Sequence, residues 1–190
     1  MSYAQPVRVR TGPGGLDEGA AVRTVLNQPV HVHYWQFYVD SGDEIVDFTD
    51  ACAGQRNGLC GAAIPGHLYL TTGLHTGEVG LTVEVHDQAP PVADGWEEVV
   101  EVPFQPVGET SVVGWGGDWS YPLELTEPSY RVRYCAFGLE DGRAQDTRID
   151  FDPDAEWYLL QFWPAPPQPD AVIRQTSQTA VMAHRHAQGG

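Results

Sequence analysis

Two histidines stand two residues apart in the sequence HVHYWQF, which covers residues 31–37. Alternate residues of a strand point to the same face, so the imidazoles of His31 and His33 are predicted to lie side by side. Such a pair can chelate a transition metal. The alternative is a half-exposed strand face without metal, because the further histidine and carboxylate of a cupin-type site are missing from the required spacing. No other cofactor is expected, apart from calcium at the acidic runs.

Carboxylates are concentrated in two runs, of which the first, DSGDEIVDFTD at residues 40–50, contains Asp47 and Asp50. The second run has six carboxylates: Asp141, Asp146, Asp150, Asp152, Asp154 and Glu156. Oxygen ligands this close together can hold Ca²⁺. The first run lacks the order of an EF-hand loop, so a turn followed by a capped segment is the simpler interpretation. The second run is predicted to be either a calcium site or an acidic contact surface.

Motifs for covalent or nucleotide chemistry are missing: the sequence has no G-x-S-x-G elbow, phosphate loop, H-E-x-x-H or dinucleotide fingerprint. Cys135 lies beside Arg131 and Arg133 on a predicted strand, where the two cations would lower its pKa. A thiol on a mixed strand face is nevertheless a poor nucleophile candidate. Trp115 and Trp119 bracket a Gly-Gly-Asp turn and, if exposed, are suited to stacking on sugars. We expect a binding protein rather than an enzyme.

Charge is the unusual feature of the composition, since 26 acidic residues oppose 10 arginines and the net charge is −16. Such a chain repels phosphate backbones and anionic lipids, which argues against nucleic acid and membranes as partners. A basic protein is the expected partner, although an acidic surface can also serve solubility alone. The sequence contains no apolar stretch of signal-peptide or membrane-spanning length, so a cytoplasmic location is expected. Cys52 and Cys60 are predicted to be free thiols rather than a disulfide.

Apolar residues alternate at period two in many segments, which is typical of half-buried strands. The clearest example is residues 78–86. Further predicted strands include 30–39, 67–71, 98–104, 130–136 and 157–163, and glycine- and proline-rich turns separate the segments. The sequence therefore predicts an all-β fold, an antiparallel β-sandwich of about eight strands. We expect a loose N-terminal arm at 1–28, the sandwich at 29–165 and a C-terminal segment at 166–190. That last segment is predicted to form a short helix or a final strand.

Five short segments follow one another in a familiar order: YWQF at 34–37, DFTDA at 47–51, WEEVVEVPF at 96–104, YRVRYCA at 130–136, and an aspartate-rich loop before a last strand. This order resembles the competence protein J (ComJ) family. The resemblance implies a small cytoplasmic β-protein that binds and silences a DNA-entry nuclease. It also implies Asp47 and Asp50 as contact residues, whereas the N-terminal arm, the loop between Cys52 and Cys60, and the HRHAQGG tail go beyond the family pattern.

Three hypotheses follow from these observations. The first is an acidic protein that binds and inhibits a cationic partner such as a nuclease or toxin. The second is a metal-dependent sandwich, either a calcium-binding module or a small enzyme that uses His31 and His33. The third is a structural subunit whose exposed sheet edges pair with other copies of the chain to form a homo-oligomer.

Overall fold

The computed structural model describes residues 21–42, 46–150, 152 and 155–189. Within these residues the chain forms eleven strands and three short α-helices. The strands are β1 (Val22–Val32), β2 (Gln36–Asp40), β3 (Cys60–Gly61), β4 (His67–Thr71), β5 (Gly77–His86), β6 (Glu98–Phe104), β7 (Ser111–Gly114), β8 (Ser120–Pro122), β9 (Tyr130–Phe137), β10 (Trp157–Pro164) and β11 (Ala171–Arg174). The helices are α1 (Phe48–Ala51), α2 (Leu139–Gln145) and α3 (Gln178–Ala187). The predicted all-β fold is confirmed.

The strands form two sheets. The larger sheet has six strands in the order β1-β5-β10-β9-β6-β11, and the smaller has five in the order β3-β4-β2-β7-β8. Neighbouring strands are antiparallel, as predicted, except that β10 runs parallel to β5. The segment that contains α2 joins β9 to its antiparallel neighbour β10, whose first residue, Trp157, lies opposite Phe137 at the end of β9.

Side chains from the two sheets meet in one apolar core. Leu81 and Val83 of β5 are fully buried, as the alternation along this strand predicted. From the smaller sheet, Phe37 packs its ring 6.1 Å from that of Tyr134 and 6.2 Å from that of Tyr158. Each large apolar side chain buried in this way stabilises the fold by about 1.5–3 kcal/mol. The alternating apolar residues of the sequence are thus the contacts that hold the two sheets together.

The outer face of the larger sheet is covered by loops. Arg131 and Arg133 point away from the core, as predicted, but both are buried and both pair with Glu101 at 3.2 and 2.9 Å. The Arg131 guanidinium also donates to the main-chain oxygen of Pro169, and that of Arg133 to the main-chain oxygen of Pro90, each at 2.8 Å. These charge-assisted contacts satisfy the buried ions and fix the loops over the sheet.

The N-terminal part of the sandwich differs from the prediction. A single strand was expected from Val30 to Val39, whereas β1 and β2 are separate strands that belong to different sheets. The strand β1 begins at Val22, so residues 22–28, which were assigned to the arm, pair with β5. The rest of the predicted arm, residues 1–20, lies outside the described residues.

The C-terminal segment contains both of the elements that were considered alternatives. The strand β11 extends the larger sheet by pairing with β6, and α3 follows it. Ser177 caps α3 by accepting a hydrogen bond from the Ala180 amide at 3.1 Å, and the buried Glu98 carboxylate accepts from the Ser177 amide at 2.7 Å. Near the other end of the helix, His184 accepts from the Gly58 amide at 3.0 Å.

The longest edge strand is β1, with 11 residues. Pro29 interrupts its ladder and the register shifts between Thr24 and Leu26, features that discourage pairing of exposed edges. Self-assembly through an edge stays a prediction. Among the described helices none combines the length and apolar character needed to cross a bilayer; the longest, α3, has 10 residues.

Candidate functional site

One end of the sandwich brings together four separate parts of the chain. They are the β1–β2 turn at 33–36, the β4–β5 loop at 72–76, the β7–β8 turn at 115–119, and α2 with the segment up to residue 150. We call this region the α2 end. The main-chain oxygen of Asp146 accepts hydrogen bonds from the amides of His75 and Thr76, at 2.8 and 3.2 Å. These bonds join the last of the four parts to the β4–β5 loop.

The β1–β2 turn has an unusual backbone. Tyr34 and Trp35 both have left-handed φ angles, 55° and 59°, a conformation that two-residue turns usually build from asparagine and glycine. Hydrogen bonds hold the turn: the Gln36 amide donates to His33 at 3.2 Å, and the Thr72 amide donates to Trp35 at 2.9 Å. Backbone strain of this kind clusters at functional sites. The turn is therefore a candidate for binding.

Aromatic rings from the β1–β2 and β7–β8 turns reach solvent. Tyr34 is 51% exposed and Trp115 is 40% exposed, and their ring centroids lie 4.9 Å apart. The His33 ring lies 6.0 Å from Trp115. Exposed tyrosine and tryptophan side chains carry much of the binding energy in protein interfaces, since they bury large areas at little entropic cost.

Trp35 connects the turn to α2. The Arg143 guanidinium of α2 lies 4.5 Å from the centroid of the Trp35 ring, a cation–π contact. On the same tryptophan, the His75 ring packs edge-on at 4.0 Å. The aromatic turn and α2 therefore form one continuous surface rather than two separate features.

The second acidic run supplies the charge of this surface. Asp141, Asp146, Asp150 and Asp152 are all exposed, and Ile149 between them is 93% exposed. No arginine within the described residues forms a salt bridge with Asp141, Asp146 or Asp150. Their negative charge therefore faces solvent without a salt bridge to a described arginine, and it attracts cationic molecules.

Glu156 requires a correction, because the structure places it in the interior instead of on the contact surface. It is fully buried, and its Oε1 accepts hydrogen bonds from the amides of Gly73 and Leu74 at 2.9 and 3.1 Å and from the Tyr158 hydroxyl. Desolvation raises the pKa of this carboxyl, and the hydrogen bonds and the nearby Arg148 oppose the shift. Glu156 thus fixes the β4–β5 loop from the interior. Asp154 lies outside the described residues.

The first acidic run is not part of the α2 end. Asp47 is the N-cap of α1 and accepts a hydrogen bond from the Asp50 amide at 2.9 Å, which is the capped turn considered above. The helix α3 lies between the two runs. In its first turn the Thr179 amide donates to Glu140 of α2 at 3.0 Å, and in its last turn the His186 ring stacks on Phe48 of α1. The carboxylates of Asp47 and Asp50 are exposed but belong to a different surface.

The two predicted metal ligands lie at the C-terminal end of β1. The Nε2 atoms of His31 and His33 are 3.2 Å apart. Trp119 donates from its indole nitrogen to the main-chain oxygen of His31 at 2.7 Å. Within the described residues there is no group of three or more histidine, cysteine, aspartate or glutamate side chains arranged to hold a metal.

The cysteines are free and buried. Burial is the main cause that raises the pKa of Cys52 to about 12 and moves that of Cys60 well above its usual value. The prediction for Cys135 needs correction: Arg133 does lower its pKa, but burial outweighs this effect and the pKa rises to about 12. The thiol form therefore dominates, which disfavours Cys135 as a nucleophile.

The opposite end of the sandwich contains a cavity of about 420 Å³. Asp40 and His67 line it, and the His67 Nδ1 lies 4.0 Å from an Asp40 carboxylate oxygen. Burial lowers the pKa of His67, and the opposing effect of Asp40 is smaller. This imidazole is therefore held in its neutral form.

Tyr34, Ile149 and Arg143 were missed as site residues. A signal for the turn was present in the parity of the inward residues. They fall on even numbers in β1, at Val30 and Val32, and on odd numbers in β2, at Phe37 and Val39. This change of parity indicates that one regular strand does not continue from β1 into β2. No comparable pattern marks Ile149 or Arg143, whose positions depend on how α2 packs.

Two solved structures resemble this chain. ComJ from Bacillus subtilis, an inhibitor of the DNA-degrading activity of NucA, matches with a TM-score of 0.53 and 17% identity over 76% of this chain and 99% of ComJ. The protein described as crocagin biosynthetic gene J matches with a TM-score of 0.48 and 14% identity, over 78% of this chain and 99% of its own. No family model and no curated protein sequence matches. The predicted resemblance to ComJ is confirmed at the level of the fold.

Proposed function

We propose that this protein binds a cationic partner protein through its α2 end and inhibits it, and that the partner is a nuclease. The observation that carries the proposal is the exposed pair of Tyr34 and Trp115 on one surface with the exposed carboxylates of Asp141, Asp146 and Asp150. Aromatic anchors give an interface its affinity, and surrounding charges give it speed and specificity.

A nuclease suits this surface because an enzyme that holds DNA needs a cationic groove. Carboxylates that enter such a groove occupy the positions of the phosphates and block the substrate. The net charge of −16 accelerates the encounter at low salt. Direct binding of nucleic acid is disfavoured for the same reason.

The likeness to ComJ supports the class of partner. ComJ inhibits the DNA-degrading activity of NucA, and nearly the whole of ComJ, 99%, is matched by this chain. We further propose a cytoplasmic location, in keeping with the buried free thiols of Cys52, Cys60 and Cys135.

The test is an inhibition assay with cationic nucleases purified on heparin from the source organism. Degradation of plasmid DNA is followed with and without the protein, at low and high salt. Inhibition is expected at low salt and should weaken as salt is raised, because the encounter is electrostatic.

The matched variants remove equal charge from opposite ends of the sandwich. Asp141→Asn, Asp146→Asn and Asp150→Asn are combined at the α2 end. The control combines three exposed carboxylates at the other end: Asp87→Asn, Glu109→Gln and Glu127→Gln. The first variant should lose inhibition by about tenfold or more, since rim charges near a cationic site act together. Equal effects of the two variants, or no inhibition by the wild type, would overturn the proposal.

A further inference from the structure

The histidine pair at the end of β1 has the geometry of a chelate. The Nε2 atoms of His31 and His33 are 3.2 Å apart, and the two rings meet edge to face with centroids at 4.6 Å. Zinc binds imidazole nitrogen at 2.0–2.1 Å, so two histidines at tetrahedral angles on one zinc ion have nitrogens about 3.3 Å apart. The nitrogens of this pair are therefore already at a bidentate separation.

Neighbouring groups orient the His33 ring. Its Nδ1 lies 3.4 Å from the Thr76 hydroxyl, which also lies 2.7 Å from the His75 Nδ1. Histidines that bind metals commonly have such a hydrogen-bonding partner on the second ring nitrogen, because it fixes the ring and its tautomer. This arrangement leaves the Nε2 of His33 directed at His31.

We infer that His31 and His33 form an open site for a divalent transition metal, such as Zn²⁺. His31 is exposed, so the ion can enter from solvent, and water or a side chain from a bound partner would complete its coordination. Imidazole ligands favour zinc, copper and nickel over calcium and magnesium. The site does not depend on the proposed inhibitor function.

The experiment is calorimetric titration of the purified full chain with Zn²⁺ in the presence of excess Ca²⁺, which occupies carboxylates but competes poorly for imidazole. His31→Gln and His33→Gln are tested singly. His186→Gln, which removes another exposed histidine, is the control. Circular dichroism of each variant verifies that it is folded.

One zinc ion should bind each wild-type chain and each His186→Gln chain. Binding should weaken by at least about tenfold in either of the other variants, because even changes to residues behind the ligands cost that much. Absence of zinc binding by the wild type would overturn the inference. So would affinity unchanged in both His31→Gln and His33→Gln, or an equal loss in all three variants.

Discussion

The two ends of the sandwich present their side chains to solvent in different ways. At the α2 end, Tyr34, Trp115 and Ile149 are 51%, 40% and 93% exposed, near the exposed carboxylates of Asp141, Asp146 and Asp150. At the opposite end, the cavity encloses His67, which is only 6% exposed. Val107 at the opposite end is also exposed, at 62%, but the polar ring of that end is packed away and no aromatic side chain lining the cavity reaches solvent. Packing of the fold does not account for the exposed rings of the α2 end, one of which, Tyr34, lies in a turn of left-handed backbone. This difference supports the proposal that the α2 end is the binding surface.

Close backbone packing beneath the α2 end makes this surface rigid. A Cβ atom on Gly138 would lie 1.7 Å from the main-chain oxygen of Ala155, and one on Gly142 would lie 2.2 Å from a carboxylate oxygen of Glu156. The start of α2 is therefore pressed against the segment that leads into β10. A surface held in this way needs little ordering when a partner binds, which favours affinity.

The largest expected effect comes from breaking this packing. Gly138→Ala should lower the free energy of unfolding by about 3 kcal/mol, because it adds a steric clash to a left-handed residue. Gly54 is the matched control: its φ is 74°, against 75° for Gly138, but a Cβ there meets no atom within 4 Å. Gly54→Ala should cost only about 1 kcal/mol. Urea denaturation measures both values, and equal losses would show that the α2 end is not tightly packed.

Truncation of the aromatic anchors should have the next largest effect. Tyr34→Ala and Trp115→Ala should each weaken binding to the proposed nuclease partner by about 2 kcal/mol, the range expected for interface hot spots. Thermal stability should change little, because both side chains are exposed. Val107→Ala, which truncates an exposed apolar side chain of the opposite end, is the control. Affinity lost only in the Val107 variant would reverse the assignment of the two ends.

The smallest expected effect concerns acid sensitivity at the opposite end. Burial lowers the pKa of His67 below its ordinary 6.5, so on acidification the unfolded chain takes up this proton before the folded one does. The wild type should therefore lose stability as the pH falls below 6.5 towards the folded pKa. His67→Phe keeps the ring against Tyr38 and should flatten this part of the profile. If the free energies of unfolding of the wild type and of His67→Phe change with pH in parallel across that range, the interpretation is wrong.

Much of the fold could be predicted because alternation is a local property. The first and last residues of β4 and β6 were predicted correctly, and the bounds of β5, β9 and β10 were predicted to within one residue. The N-terminal strand failed because a turn of Tyr34 and Trp35 carries none of the glycine, proline or asparagine that usually marks a reversal. Its left-handed residues are held by tertiary contacts that local sequence does not reveal.

The candidate site could be predicted only in part. The acidic segment was recognisable from composition, but nothing local distinguishes the exposed Asp150 from the buried Glu156. Which carboxylate turns inward depends on the approach of α2 to β10. The convergence of Tyr34 and Trp115 likewise depends on which strands are neighbours, and the resemblance to ComJ gave the fold without that detail.

Hydrogen exchange of the proposed complex between this protein and a cationic nuclease tests the central claim most directly. Amides of residues 72–76, 115–119 and 139–150 should exchange more slowly in the complex than in the free protein, because the partner covers the α2 end. Protection at residues 64–67 and 105–110 instead, with exchange unchanged at the α2 end, would contradict the account.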